Sequence, residues 1–191
     1  NKKHYEEHML KKFKTFEDYN QKLNNLFMNI IVTDKNGLEI SVEKGLKLVK
    51  NKVTKNHVFL VGNGGSSSNC DHISNDFSKI LNAKSINLYG SGVFTCYAND
   101  YGFENVFSQQ LKTIGDKNDN LICLSCSGES QNIINAIKVA KSKSIFTITF
   151  TGISKKNKIR KKGDVNFYVD SKSYGLIEIA HLTLLHYLVE N

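Results

Sequence analysis

The sequence predicts an α/β fold: a three-layer sandwich in which a parallel sheet of about five strands is flanked by helices, with extra helices at the N-terminus. Three observations predict it. Short apolar runs ending in glycine or serine clusters alternate with stretches of helical apolar spacing. Strands separated by helices pair in parallel and are covered on both faces. The 191 residues, 40% hydrophobic and 23% charged, suffice for one domain with a real core and would be cramped as two. The expected division of residues 1–191 is an N-terminal helical segment, 1–39, and an α/β core, 40–191.

The elements follow in order. Residues 4–32 space Phe13, Phe16, Tyr19, Leu23, Leu26 and Phe27 as a helix does, and residues 40–56 do the same with Val42, Gly45, Leu46 and Val49. HVFLVGNGG is a buried strand feeding a glycine turn. Residues 66–82 read as a helix and KSINLYG as a second strand. FSQQLKTIG closes a helix with Gly115 past its end. DNLICLSCSGES is a third strand running into a turn of small residues. QNIINAIKVAKSK is a helix, and SIFTITFTG and VNFYVD are the fourth and fifth strands. YGLIEIAHLTLLHYLVEN reads as an amphipathic terminal helix.

Charge and composition exclude several classes. The net charge is +8, but the lysines are scattered, and the one dense run, Lys155 to Lys162 (KKNKIRKK), has no interleaved aromatics. It reads as a solvated face, not a nucleic-acid groove. No apolar run approaches the ~20 residues of a membrane helix. NKKHYEEHMLKKF lacks the apolar stretch of a signal peptide. The expectation is a cytoplasmic protein that binds neither nucleic acid nor membrane. Cys123 and Cys126 have C-x-x-C spacing, but Cys123 lies in the apolar run NLICLS, where a small thiol packs well. Reduced thiols follow from a cytoplasmic setting.

Two strand-end turns carry chemistry. Ser125, Cys126, Ser127, Gly128, Glu129 and Ser130 follow one strand and precede a helix. Hydroxyls and free backbone N–H groups there can ring a phosphate, helped by the helix N-terminus. The pattern is neither a P-loop nor a G-x-G-x-x-G fingerprint. A serine-rich helix cap would look the same, but a second strand-end turn, GNGGSSS, supports the phosphate reading, since two facing loops can enclose a sugar phosphate. Just beyond it His72 and Asp76 share a helix face at i and i+4. Glu178 and His186 lie on the terminal helix, with His181 between. Imidazoles and carboxylates of this kind serve as acid/base groups or metal ligands, though a lone helical His is more often structural. Glu178 and His186 are eight residues apart, about 12 Å along an ideal helix, so one ion meets both only if the helix start bends or the site spans subunits. ANDYGFENVF, Ala98 to Phe107, is either a capped helix start or a stretch that turns Asn99 and Asp100 to the pocket.

GNGGS with a His seven positions after Gly65, ANDYGFENVFSQQL, SCSGES and ITFTG occur in this order. Together they resemble the sugar isomerase (SIS) domain in its phosphoheptose isomerase form, over about residues 40–190. The resemblance implies a parallel α/β sandwich assembled as a homotetramer, with active sites between subunits. It implies interconversion of sedoheptulose 7-phosphate and D-glycero-D-manno-heptose 7-phosphate, a step toward the heptoses of lipopolysaccharide or capsule. The family's phosphate loop corresponds to Ser125, Cys126, Ser127 and Ser130. Its substrate contacts correspond to Asn63, Gly64, Gly65, Ser66, Asn99 and Asp100. Its acid/base and zinc-binding positions correspond to His72, Asp76, Glu178 and His186, with Asp76 and His186 as the catalytic pair and Asp76 and Glu178 also meeting substrate.

The chain departs from the family in places. Asp76 stands for a usual Glu, Glu178 for a usual Gln and Cys126 for a usual Thr, and YGLIE replaces the common ARIQE. These departures look coordinated, as in a variant branch with H-x-x-x-D. Other readings stay open: a non-catalytic sugar-phosphate sensor, a tetramer that binds a replication initiator, or an isomerase for another sugar phosphate. A sensor needs only the phosphate loop, so the presence of His72, Asp76, Glu178 and His186 together argues against it.

Overall fold

The computed structural model describes residues 13–191, and the part of the N-terminal helical expectation on residues 4–12 lies outside them. Helix α1 (Phe16–Met28) starts where Thr15 accepts the Asp18 N–H on its side-chain oxygen. The helical spacing expected up to residue 32 stops short. Residues Ile31–Asp34 form strand β1 instead, followed by the two-residue β2 (Glu39–Ile40). Asp34 makes the hairpin, its carboxylate accepting the Asn36 N–H at 2.8 Å and the Leu38 N–H at 3.0 Å.

The remaining elements follow the expected order, with one helix, Ser91–Tyr101, beyond those expected. They are α2 (Val42–Val53), β3 (Val58–Val61), α3 (Gly65–Lys79), β4 (Ser85–Asn87), α4 (Ser91–Tyr101), α5 (Val106–Ile114), β5 (Asn120–Ser125), α6 (Gln131–Ser142), β6 (Phe146–Thr151), β7 (Val165–Tyr168) and α7 (Tyr174–Glu190). A 3₁₀ turn, Phe103–Asn105, joins α4 to α5. ANDYG therefore ends a helix, α4, and does not begin one; Gly102, at φ 79°, takes the left-handed turn that stops it.

The sheet has seven strands in the order β2-β1-β7-β6-β5-β3-β4. The five expected strands β3 to β7 are mutually parallel, and β1 adds an antiparallel edge against β7, with Ile31 opposite Tyr168. β3 is flanked by β4 on one side and β5 on the other, so successive crossovers leave it in opposite directions. That reversal opens a crevice at the carboxyl ends of β3 and β5. Both the glycine turn and the serine loop leave the sheet there.

Pleating divides the core in two. Val58 and Leu60 of β3 face one cluster with α2, α3 and α7, whereas Phe59 and Val61 face a second cluster with α5 and α6. In the first, the Phe150 and Phe167 rings stack at 4.5 Å, and truncating either would cost about 3–5 kcal/mol. α7 is less amphipathic than expected. Leu176, Ile177, Ala180, His181, Leu184, Leu185, Leu188 and Val189 are all buried, so apolar surface wraps most of its circumference. Among the described residues no helix is long and apolar enough to cross a membrane.

Candidate active site

The glycine turn is set by backbone geometry. Gly64 has φ 57° and ψ −128°, a conformation L side chains avoid, and it caps α3 without a side chain. Tyr89 clamps the turn from just past the end of β4: its hydroxyl accepts the Gly62 N–H and donates to the Gly62 carbonyl. Burial pushes the Tyr89 hydroxyl far above its usual pKa, so it stays protonated and keeps both roles. A Cβ on Gly65 would meet the Glu178 carboxylate at 2.5 Å, so this glycine lets α7 approach the turn.

The serine loop faces it across the crevice. Ser125 Oγ accepts the Gly128 N–H at 3.2 Å, and Ser127 Oγ accepts the Glu129 N–H at 3.2 Å. Glu129 is drawn away by Lys158, whose ammonium lies 3.0 Å from its carboxylate. The two loops are tied by a reciprocal amide pair: Asn63 Nδ2 donates to Asn132 Oδ1 at 3.0 Å, and Asn132 Nδ2 donates to Asn63 Oδ1 at 2.9 Å. Asn132 is almost fully buried in the first turn of α6.

Between the loops lies a polar cavity of ≈ 160 Å³. Asn63 and Ser66 line one wall, Ser125, Cys126, Ser127 and Ser130 another, and Tyr174 and Glu178 of α7 a third. Cys126 Sγ lies 3.7 Å from Ser66 Oγ and 4.0 Å from Glu178 Oε1. Burial first, and then the Glu178 charge, push the Cys126 thiol up to about 12, so it lines the wall as a neutral group. Burial also raises the Glu178 carboxyl above the ordinary range.

A second constellation forms where α3 and α7 pack together. His72 Nε2 lies 3.4 Å from Asp76 Oδ2, and His186 Nδ1 lies 3.6 Å from the same oxygen. The two imidazoles meet edge to face at 5.0 Å. One ligand atom from each of the three residues falls within 4.8 Å of the others, the only such group found among the described residues. Two imidazole nitrogens and a carboxylate oxygen make a donor set that suits zinc, with positions left for water or substrate. The residues present therefore fit a divalent ion.

The structure thus gathers most of the sequence candidates, but into two places. Asn63, Ser66, Ser125, Cys126, Ser127, Ser130 and Glu178 share the cavity, with Gly64 and Gly65 shaping its rim. His72, Asp76 and His186 share the helix face. Within one chain Glu178 does not join the three proposed ligands, because eight residues of α7 separate it from His186, about 12 Å of helix. Asn99 and Asp100 sit exposed at the end of α4, outside the cavity lining, where Asn99 Nδ2 donates to Asp100 Oδ1 at 2.9 Å. His181 is fully buried, its Nε2 3.2 Å from the Thr151 carbonyl, and burial lowers its pKa to about 4. It is a neutral core histidine. The cysteines are all free, as the apolar setting of Cys123 implied. Tyr89, Asn132 and Tyr174 were not among the sequence candidates. Asn132 alone had a signal, a polar residue one position before the apolar run of its helix.

A sheet that reverses at β3, with a serine loop and a glycine turn enclosing a small cavity at its carboxyl edge, places the chain among α/β proteins that bind ligands at a switch point. The family model described as "SIS domain" matches residues 18–152. The phosphoheptose isomerase of Thermodesulfovibrio yellowstonii is 35% identical over 139 residues, 70% of this chain and 69% of that protein. That of Helicobacter pylori (strain ATCC 700392 / 26695) is 31% identical over 183 residues, 88% of this chain and 94% of that one. The phosphoheptose isomerase GmhA from Neisseria gonorrhoeae shares the fold with a TM-score of 0.76 at 23% identity, over 92% of this chain and 93% of that one. The chain belongs to the SIS domain family, among its phosphoheptose isomerases.

Proposed function

We infer that the chain, acting over residues 1–191 as a single SIS domain, is an aldose–ketose isomerase that interconverts sedoheptulose 7-phosphate and D-glycero-D-manno-heptose 7-phosphate. The observation that carries this is Asp76, held between two imidazoles where α3 meets α7, the helix that lends Glu178 to the serine-lined pocket. A sensor would need the pocket and not the cluster.

Isomerisation moves one proton between C1 and C2 and another between their oxygens, through an enediol. Asp76 takes the carbon-bound proton and returns it to the neighbouring carbon. His186 carries the proton exchanged between the oxygens. His72, 3.4 Å from Asp76, holds the carboxylate in place. The hydroxyls of Ser125, Ser127 and Ser130 and the N–H groups opening α6 hold the 7-phosphate, so remote binding energy positions the reacting carbons. The Cys126 thiol donates less strongly than a hydroxyl would. Asn63 and Glu178 meet the sugar beside the phosphate, whereas Asn99 and Asp100, outside the cavity lining of one chain, would meet its hydroxyls only across a subunit contact.

His72, Asp76 and His186 would hold a divalent ion such as zinc, with Glu178 completing the set only if another copy supplies it. A bound ion supplies Lewis-acid polarisation of the substrate carbonyl. A lone pair given to the ion is not available to a proton, so loading and acid/base work compete at Asp76 and His186.

The separation of cavity and cluster, about 12 Å along α7, favours a composite site in which one copy supplies the pocket and another the cluster. The exposed Ile179 and Tyr187 on α7 give such a partner an apolar surface. The assembly we propose is a cytoplasmic homotetramer with its sites between subunits, serving heptose synthesis for lipopolysaccharide or capsule.

A coupled assay with sedoheptulose 7-phosphate, before and after chelation and zinc addition, tests this reading. The expected result is turnover in untreated enzyme. Loss on chelation and recovery with zinc would establish the ion. Tight binding of the sugar phosphate with no turnover under either condition would sink the isomerase reading in favour of a sensor.

A further inference from the structure

The opposite end of the sheet carries a second depression, of ≈ 340 Å³, at the amino ends of the strands. Lys35 from the β1–β2 turn, Lys52 of α2, Lys141 of α6, and Lys161 and Lys162 before β7 all line it. One carboxylate, Asp164, reaches it, and that group already accepts the Thr147 N–H at 2.8 Å. The basic run is thus split. Lys155 pairs with Asp170 at 3.1 Å and Lys158 with Glu129 at 3.0 Å, whereas Lys161 and Lys162 meet no carboxylate among the described residues. Lys35 and Lys141 meet none either, and Lys52 lies over the Phe146 ring at 5.0 Å.

Gathering five lysines from four separate elements against a single carboxylate, Asp164, raises the free energy of the empty site, and a multivalent anion relieves that repulsion. The volume falls in the range of small-molecule pockets, roughly 300–1,000 Å³. The Ser144 hydroxyl and Asn118 amide at its edge add neutral donors. Nothing here stacks a base, since the one ring in the lining, Phe146, already has the Lys52 ammonium over it. The six residues of β6 set this depression about 20 Å from the serine loop, too far for one sugar phosphate to bridge.

We propose that this lysine-lined depression is a second anion site, which binds a small molecule carrying two or more phosphate charges, such as a diphosphate. The site is independent of the isomerase chemistry and of whichever sugar the serine loop takes.

The test is calorimetric titration of the whole protein with inorganic pyrophosphate, in a Ser127→Ala/Ser130→Ala background that weakens the serine loop. We expect saturable binding that survives in that background and weakens at least tenfold in Lys161→Gln/Lys162→Gln. Both lysines are exposed, so melting temperature and basal turnover, measured with the serine loop intact, should hold in this variant, and Lys141→Gln alone should weaken binding by a smaller factor. Binding unchanged by the lysine substitutions, or abolished by the serine substitutions alone, would overturn the proposal. A single-stranded oligonucleotide that binds more tightly than pyrophosphate, with a steep salt dependence, would overturn it too and make this a nucleic-acid surface.

Discussion

In the strand-end cavity the polar groups are held by backbone and by one another; in the helix-face cluster three side chains meet across two helices and stay partly open. Tyr89 clamps Gly62, the Asn63–Asn132 amides lock the two loops together, and Ser125 and Ser127 are fixed to their own turn. The side chains of His72, Asp76 and His186 keep 53%, 22% and 36% of their surface exposed. The difference suits two jobs. A pre-organised cavity anchors a charged group without paying ordering entropy at each turnover. An open cluster fits the proposed reading, in which substrate and another copy close over it to exclude water.

If the division holds, substitutions on the two sides should change different kinetic constants. The largest effect belongs to the cluster. Asp76→Asn keeps shape but removes the proposed base, and kcat should fall by about 10³, within the range general acid–base catalysis supplies. KM should move less than about threefold, because the phosphate still has its anchor. Steady-state kinetics decide it. A raised KM with kcat intact would move Asp76 to the binding side and break the comparison.

The next effect belongs to the cavity. Ser127→Ala deletes one hydroxyl facing the phosphate. Hydrogen bonds to charged groups are worth about 1.5–3 kcal/mol, so kcat/KM should fall roughly ten- to a hundredfold, mainly through KM. A fall confined to kcat would mean that the loop positions the reacting carbons more than it holds the phosphate.

The two regions also differ in how far the sequence shows them. The cavity is legible because it is local: GNGG and SCSGES each follow an apolar run, and a turn after a strand points to the carboxyl edge whatever the rest of the chain does. Which residues tie the loops together is not legible, since Asn63 and Asn132 are 69 residues apart and meet only after the sheet forms. His72 and Asp76 announce a shared helix face by their spacing. That His186 joins them and Glu178 does not depends on the height at which α7 packs beside α3, which tertiary contact alone sets. The hairpin β1–β2 was hidden for another reason. Its β-branched run Ile31, Val32 and Thr33 and its turn DKNG are strand signals, but they directly follow a helical pattern whose period continues through Ile31 and Val32.

α7 allows the comparison to be sharpened, because five residues before His186 it places a histidine in neither region. His181 is sealed against Phe150, with ring centroids 5.7 Å apart, and its pKa falls to about 4 because burial opposes the charged form. The unfolded chain binds a proton below about 6.5, where the folded chain does not, so acid favours unfolding between those values. The stability this histidine contributes is complete above pH 6.5 and is lost as the pH drops toward 4. From pH 6.5 to 5 the loss should be on the order of 2 kcal/mol. Urea unfolding of His181→Leu at several pH values should show a shallower decline over that interval than the parent, even if the variant is less stable at pH 7 for want of the contact to Thr151. Parallel declines would mean that the ring is protonated in the folded state, and that the inner face of α7 is wetter than its packing implies.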